Sequence, residues 1–311
     1  MNNYSDSEKH QIADELEAYL KDKQETAKAK GDEFSQNQLA ALVGKSPAYV
    51  SYILSRQFDK KNQAENVILT DKIWKAFEDF IRVGQNVWDI NNYNIIMSTL
   101  LDSKAHSYQY ILDGPTGMGK TYTANLFKKR YPIGTFVIKC APDMTMKQFM
   151  FELAREVGVS QENLKGSRYD LRVRACEKLL TMEHPIIVFD ETEKTTQNAR
   201  LQIIDTIQAM HDHKDLFMKC SFVVMGANNF YESLKSISSR KNPHAIPQFL
   251  SRFDVVYTEE YSIAEAKKIC VQYYDIKDQD KIEEFSKQST DYRQLARKVE
   301  KYINNKKLQA A

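Results

Sequence analysis

Three of the ten glycines in this 311-residue chain, Gly114, Gly117 and Gly119, fall within six residues. They belong to the run Gly114-Pro115-Thr116-Gly117-Met118-Gly119-Lys120-Thr121. Residues this small let successive backbone N–H groups converge on one point, the arrangement that phosphate oxygens need. A helix opening at Lys120 would add the partial positive charge of its N-terminus. Lys120 would carry a full charge toward the β- and γ-phosphates, and the Thr121 hydroxyl is the type of group that holds Mg²⁺. The nucleotide-binding residues expected from this run are Gly114, Pro115, Thr116, Gly117, Met118, Gly119, Lys120, Thr121 and Tyr122, with ATP and Mg²⁺ as cofactors. A plain glycine-rich turn is the alternative, and the strand before the motif and the helix after it argue against that.

Downstream, the apolar run Pro185-Ile186-Ile187-Val188-Phe189 ends in Asp190 and Glu191. A strand that delivers Asp190 to the carboxyl edge of a sheet would place it beside the metal with Thr121. Glu191 could then polarise a water for attack on the γ-phosphate.

These groups need a scaffold, and the patterning supplies one. Short apolar runs without alternation at Tyr108–Leu112, Thr135–Cys140, Ile186–Phe189 and Ser221–Met225 read as strands. They are interleaved with helical periodicity at Asn92–Leu101, from Lys120, at Met146–Val157 and at Tyr169–Met182. That is the signature of a parallel sheet covered by helices on both faces. From Ser262 onward only helical periodicity remains. The expected class is α/β, a P-loop NTPase with a parallel sheet and a C-terminal helical lid, preceded by an all-α helix-turn-helix domain. The expected boundaries are 1–65 for the helical domain, 66–91 for a connecting helix and linker, 92–259 for the nucleotide-binding domain and 260–311 for the lid.

Composition excludes several classes. With 42% apolar and 28% charged residues the chain is too apolar to be disordered. A formal charge of +2 supplies no overall cationic field, so any DNA contact must come from local patches. The cysteines, Cys140, Cys176, Cys220 and Cys270, lack the short spacings of zinc knuckles or redox dithiols and read as buried apolar residues. No signal-peptide core and no apolar stretch of about 20 residues is present, which points to a cytoplasmic protein without a membrane partner.

Near the N-terminus, residues 7–30 read as a polar helix with Ile12, Leu16, Tyr19 and Leu20 on one face, ended by Gly31. Phe34–Leu54 then gives two short helices separated by Gly44-Lys45-Ser46, with Pro47 as a first helical residue. Residues 56–66 read as a polar loop. Thr70-Asp71 caps a further helix with Ile73, Trp74, Phe77, Phe80 and Ile81 on a broad apolar face, and a boundary follows near Gly84–Asn91.

From Asn91 to the C-terminus these motifs resemble an AAA+ ATPase. The resemblance implies that Asn228, after the strand Ser221–Met225, orients the attacking water as a sensor residue. It implies that Arg252, in Pro247-Gln248-Phe249-Leu250-Ser251-Arg252-Phe253, is the arginine that reaches a neighbouring subunit's nucleotide, with Arg240 a nearby competitor. It implies that Arg293, in Thr290-Asp291-Tyr292-Arg293, contacts phosphate from the lid, although the glycine usual ahead of that arginine is missing. The catalytic set is thus Lys120, Asp190, Glu191, Asn228, Arg252 and Arg293.

Phe34–Leu54 resembles a repressor-type helix-turn-helix, with Ala40 small for a close helix crossing and Val50 and Ile53 facing the core. Ser46, Ala48, Tyr49, Ser51 and Tyr52 would then be available to the major groove of duplex DNA, with Lys45, Arg56, Lys60 and Lys61 placed for phosphates. The middle of the second helix has no Arg, Asn or Gln, which argues for backbone-dominated binding of low sequence specificity. A second basic cluster, Lys147, Lys165, Arg168, Arg172 and Arg174, could line a DNA channel or be a solvated helix face.

A helix-turn-helix joined to one AAA+ module resembles the family of transposition ATPases that includes the B protein of phage Mu (MuB), TnsC and IstB. This resemblance implies ATP-dependent helical self-assembly on double-stranded DNA, delivery of target DNA to a transposase and its stimulation, and release on hydrolysis. A nucleotide-switched transcriptional regulator, or a helicase loader of the DnaC and IstB kind, is compatible with the same motifs.

Overall fold

A computed structural model describes residues 4–29, 33–59, 68–82, 87–195, 197–241 and 245–310. The chain divides into two compact units, Met1–Val87 and Trp88–Ala311.

In the first unit, α1 (Asp6–Ala29), α2 (Gln36–Val43), α3 (Pro47–Leu54) and α4 (Asp71–Arg82) pack around Leu16, Leu39, Ile53, Trp74 and Phe77, all fully buried. α2 begins with a capping box, in which the Ser35 side chain accepts from Gln38 N and the Gln38 side chain accepts from Ser35 N. α3 starts at Pro47 with Ser46 as its cap. Leu39, Ala40, Val50 and Ile53 form the seam between the pair. α4, expected as part of a connector, is instead a core helix of this unit. Its Phe80 ring meets Tyr19 of α1 edge-on at 5.2 Å, and Trp74 meets Phe58 at 5.1 Å. A face as broad as that of α4 must be covered, and α1 covers it. Gly31, Lys60, Lys61 and Gly84 lie outside the described residues.

The second unit is a five-stranded parallel sheet of order β2-β3-β4-β1-β5. Its strands are β1 (Tyr110–Asp113), β2 (Thr135–Lys139), β3 (Ile186–Asp190), β4 (Ser221–Met225) and β5 (Asp254–Tyr257). β3 and β4 are buried at every residue, as central strands covered on both faces must be. The sheet's helices are α5 (Asn91–His106), α6 (Lys120–Arg130), α7 (Met146–Glu156), α8 (Arg168–Leu180), α9 (Gln197–His211), α10 (Phe230–Lys241) and α11 (Ala245–Leu250). One core runs from Ile111 and Phe149 through Phe189 and Phe222 to Phe249, and all four cysteines are buried. α12 (Ile263–Gln272), α13 (Gln279–Gln288) and α14 (Tyr292–Ala310) close the chain around Ile269, Leu295 and Val299. Loop residue Met118 belongs to this second core. β5, a mixed-burial strand at the sheet edge, has no counterpart in the sequence reading.

Asn92 joins this last group of helices to the sheet. Its side-chain amide donates to Glu259 O at 3.0 Å and its Oδ1 accepts from Glu259 N at 2.7 Å. Glu265 adds a second tie, accepting from Asn91 N at 2.9 Å and from the Tyr292 hydroxyl. Among the described residues no helix is long and apolar enough to cross a membrane.

Candidate functional site

Parallel strands bring the ends of β1, β3 and β4 to one edge of the sheet, where ligands of open α/β folds bind. The loop Gly114–Gly119 leaves β1 there and enters α6 at Lys120. Two of its glycines are required by what touches them. A Cβ on Gly114, at φ 152°, would lie 1.9 Å from Thr258 Oγ1, so the segment after β5 is pressed against the loop. A Cβ on Gly117, at φ 77°, would lie 2.5 Å from the Asp291 carboxyl carbon, so the residue before α14 rests on the loop as well.

Lys120 is buried and folds back over its own loop, donating to Gly114 O at 2.8 Å and Pro115 O at 2.9 Å. Burial pushes its ammonium below the usual lysine range, and the carboxylates of Glu193, Asp113 and Asp190 act in the opposite direction. Asp113 fixes the start of the loop, accepting from Gly114 N at 2.7 Å and from Tyr231 N of α10 at 2.9 Å.

Asp190 ends β3, and burial pushes its carboxyl up, opposed by a hydrogen bond from the Thr121 side chain. A hydroxyl and a carboxylate in contact at the base of a phosphate loop are hard oxygen donors of the kind Mg²⁺ takes, its other positions being filled by phosphate and water. The two residues expected to hold the metal are therefore neighbours and fit it. Glu191 follows in a left-handed conformation at φ 58°. Its two oxygens are engaged, Oε2 by Lys139 Nζ at 3.2 Å and Oε1 by Lys194 Nζ at 2.6 Å.

Asn228 lies at the same edge, exposed, its N–H donating to Gly114 O at 3.3 Å. Arg293 is exposed on the first turn of α14, two residues after Asp291. Pro115 is half-buried, while Thr116 and Tyr122 face solvent.

Arg252 is elsewhere. It precedes β5, whose first residue Asp254 pairs with Tyr110 at the start of β1, so it sits at the amino edge of the sheet, opposite the loop. There Asp212 holds it in a fork, with Nε to Oδ1 at 2.9 Å and one NH2 group to Oδ2 at 2.9 Å. Arg240 lies in α10, and its side chain is outside the described residues.

Of the expected DNA contacts, Ser46 and Ser51 are exposed on the α2–α3 pair, and Lys45 and Tyr49 are half-buried. Arg56 departs from expectation. Its guanidinium is bound to Asp14 and to Glu17 of α1, the latter at 2.8 Å, and donates to Leu54 O at 2.7 Å. It serves as a strut between α1 and the end of α3. Lys147 is exposed on α7, Arg168 donates to Gln202 Oε1 at 3.1 Å, and the Arg172 guanidinium lies 5.3 Å from the Tyr169 ring centroid. Arg168, Tyr169 and Arg172 line a surface groove of about 530 Å³ with Met150, Gln202 and Asp205. Arg174 is turned to the backbone, donating to Asn163 O at 2.7 Å.

Sequence reading missed Glu193, Lys139, Asp113, Thr258 and Asp291 at this edge. Glu193 stood two residues after Glu191 and Asp113 directly before Gly114, so proximity to the motifs was the available signal.

Residues 105–234 match the family model described as AAA domain. Among solved structures, the ORC1 protein of Aeropyrum pernix in complex with DNA is similar at 15% identity and TM-score 0.51, over 69% of this chain and 60% of that one. Cdc6p from Pyrobaculum aerophilum is similar at 14% identity and TM-score 0.49, over 64% and 55%. The RuvB Holliday junction branch migration motor of Thermotoga maritima is similar at 15% and 0.44, over 71% and 63%. The chain thus matches between 55% and 63% of the length of these proteins. No curated protein matches it. The domain match and the parallel sheet together give the fold as that of an AAA+ P-loop NTPase.

Proposed function

We propose that this chain is a Mg²⁺-dependent ATPase that assembles on double-stranded DNA and, in DNA transposition, delivers target DNA to a transposase. The observation that carries the ATPase reading is the loop that leaves β1 and opens α6 with buried Lys120 turned onto Gly114 O and Pro115 O, at the sheet edge where β3 ends in Asp190.

The residues divide the work as follows. Loop N–H groups and Lys120 hold the phosphates. Thr121 and Asp190 would hold Mg²⁺, which supplies charge neutralisation at the β- and γ-oxygens. Glu191 takes the proton of the attacking water and Asn228 orients that water. Arg293 reaches the phosphates from the lid. Arg252, on the far edge, cannot serve its own site and reaches that of a neighbouring copy, where it stabilises charge developing on the γ-phosphate. Oligomer stability is then linked to nucleotide state, because ATP contributes contacts to the junction between copies.

DNA affinity would come from assembly more than from one chain. Lys45, Ser46, Tyr49 and Ser51 on the helix pair, and separately Lys147, Arg168 and Arg172 on the second unit, give each unit a weak phosphate-contacting patch that repetition strengthens. The transposition role rests on the family resemblance alone. A footprint with ATP tests the reading: protection spread over arbitrary duplex supports it, whereas protection confined to one palindromic site would favour the transcriptional regulator. Retention of a transposase or of a replicative helicase separates transposition from helicase loading.

A further inference from the structure

Met118 belongs to the loop Gly114–Gly119, yet only 2% of it is exposed. Among residues 116–120 it brings the only apolar side chain. The core that buries it holds Ile90, Ile269, Phe285, Tyr292, Leu295 and Val299, and no strand of the sheet contributes to that core. An apolar loop residue packed in this way ties the loop to the helices around it.

Three of those partners, Tyr292, Leu295 and Val299, are on α14. Spacings of three and four residues put them on one face of the helix, while Arg293, next to Tyr292, is exposed on another. A second contact acts on the same turn. Asp291 rests on Gly117, whose Cβ would come within 2.5 Å of the carboxyl carbon, and Asp291 Oδ1 accepts from Gln294 N at 2.8 Å as the cap of α14. The first turn of α14, with Arg293 in it, is thus fixed to the loop through both Gly117 and Met118.

We propose that Met118 is a positioning residue: its burial docks α12, α13 and α14 on the phosphate loop and so sets the place from which Arg293 reaches a bound nucleoside triphosphate. The inference rests on the nucleotide-binding reading above. Met118 acts through Arg293 and not on the phosphate itself. Cutting it back frees the helices from the loop and takes Arg293 with them.

The test is a double-mutant cycle in the full chain, read by calorimetric titration with Mg²⁺ and a non-hydrolysable ATP analogue. Arg293→Ala and Met118→Ala should each weaken the analogue on the order of tenfold, the loss of a hydrogen bond to a charged group. The double variant should be no more than about twofold weaker than either single one, because Arg293 is already out of reach once Met118 is cut back. Met118→Leu, of similar volume, should stay within about twofold of wild type. Hydrogen exchange without nucleotide should be faster in α12, α13 and α14 of Met118→Ala and unchanged in β3 and β4. Met118→Val gives the same readouts should the alanine variant not fold.

Additive losses in the cycle would overturn the proposal, as would a Met118→Ala or Arg293→Ala variant that binds like wild type, or helices that exchange no faster. If wild type does not bind the analogue, the nucleotide reading falls and this proposal with it. If wild type binds it and the cycle is additive, this proposal falls alone.

Discussion

Glu191 Oε2 lies 3.2 Å from Lys139 Nζ, so the acid proposed to activate water is held by the last residue of the neighbouring strand β2. Burial acts to raise the Glu191 carboxyl, but Lys194 and Lys139 outweigh it and hold the group below the usual glutamate range. A base with a lowered pKa accepts a proton less readily. Lys139→Ala should therefore raise basal ATP hydrolysis several-fold, about 3-fold or more, in steady-state assays without DNA. An unchanged or lowered rate would show that Lys139 does not restrain Glu191.

Lys120 gives a pH dependence of defined sign. Burial lowers its pKa, so the ammonium proposed to receive phosphate is lost as pH rises earlier than for an exposed lysine. ATP-analogue affinity should fall on the alkaline side with a midpoint below the model-compound value of 10.5. Affinity that stays flat through that window would remove Lys120 from phosphate binding.

Among the described residues Thr258 Oγ1 is buried without a partner, and it faces the Cα of Gly114. An unsatisfied hydroxyl carries a desolvation cost that an isosteric methyl does not. Thr258→Val should raise unfolding free energy by about 1 kcal/mol in urea titrations. Gly114→Ala, which forces a methyl into the same place at an unfavourable φ, should abolish nucleotide binding. Tolerance of that alanine would contradict the close approach of the two segments.

Gly117 and Asp291 make the corresponding contact with the start of α14. Gly117→Ala should displace that helix start, weakening ATP binding by roughly tenfold or more, since backbone strain and a displaced Arg293 act together. Asp291→Gly in the same chain should recover part of the loss, because it removes both the Cβ and the carboxyl that the methyl would meet. Absence of any recovery would leave backbone strain as the whole effect.

Much of the candidate site was legible because a phosphate loop demands a contiguous motif. Gly114–Thr121, the strand ending at Asp190 and the strand ending before Asn228 are each continuous runs with one chemical purpose. β5 escaped notice because Asp254-Val255-Val256-Tyr257 is a four-residue edge strand, exposed at both ends. The partners of the site residues were illegible for another reason. Lys139 meets Glu191, Thr258 meets Gly114, and Arg56 meets Asp14 and Glu17 only through tertiary packing of distant segments. An arginine at the end of a recognition-type helix looks free to bind phosphate until α1 is seen to supply two carboxylates. The connector reading of α4 failed similarly, since its broad apolar face already required a covering partner.

Electron microscopy of the chain with arbitrary duplex DNA tests ATP-driven assembly most directly. Regular filaments should form with ATP, vanish with ADP and fail with Arg252→Ala while that variant still binds nucleotide. Isolated single copies on DNA in saturating ATP would contradict the account.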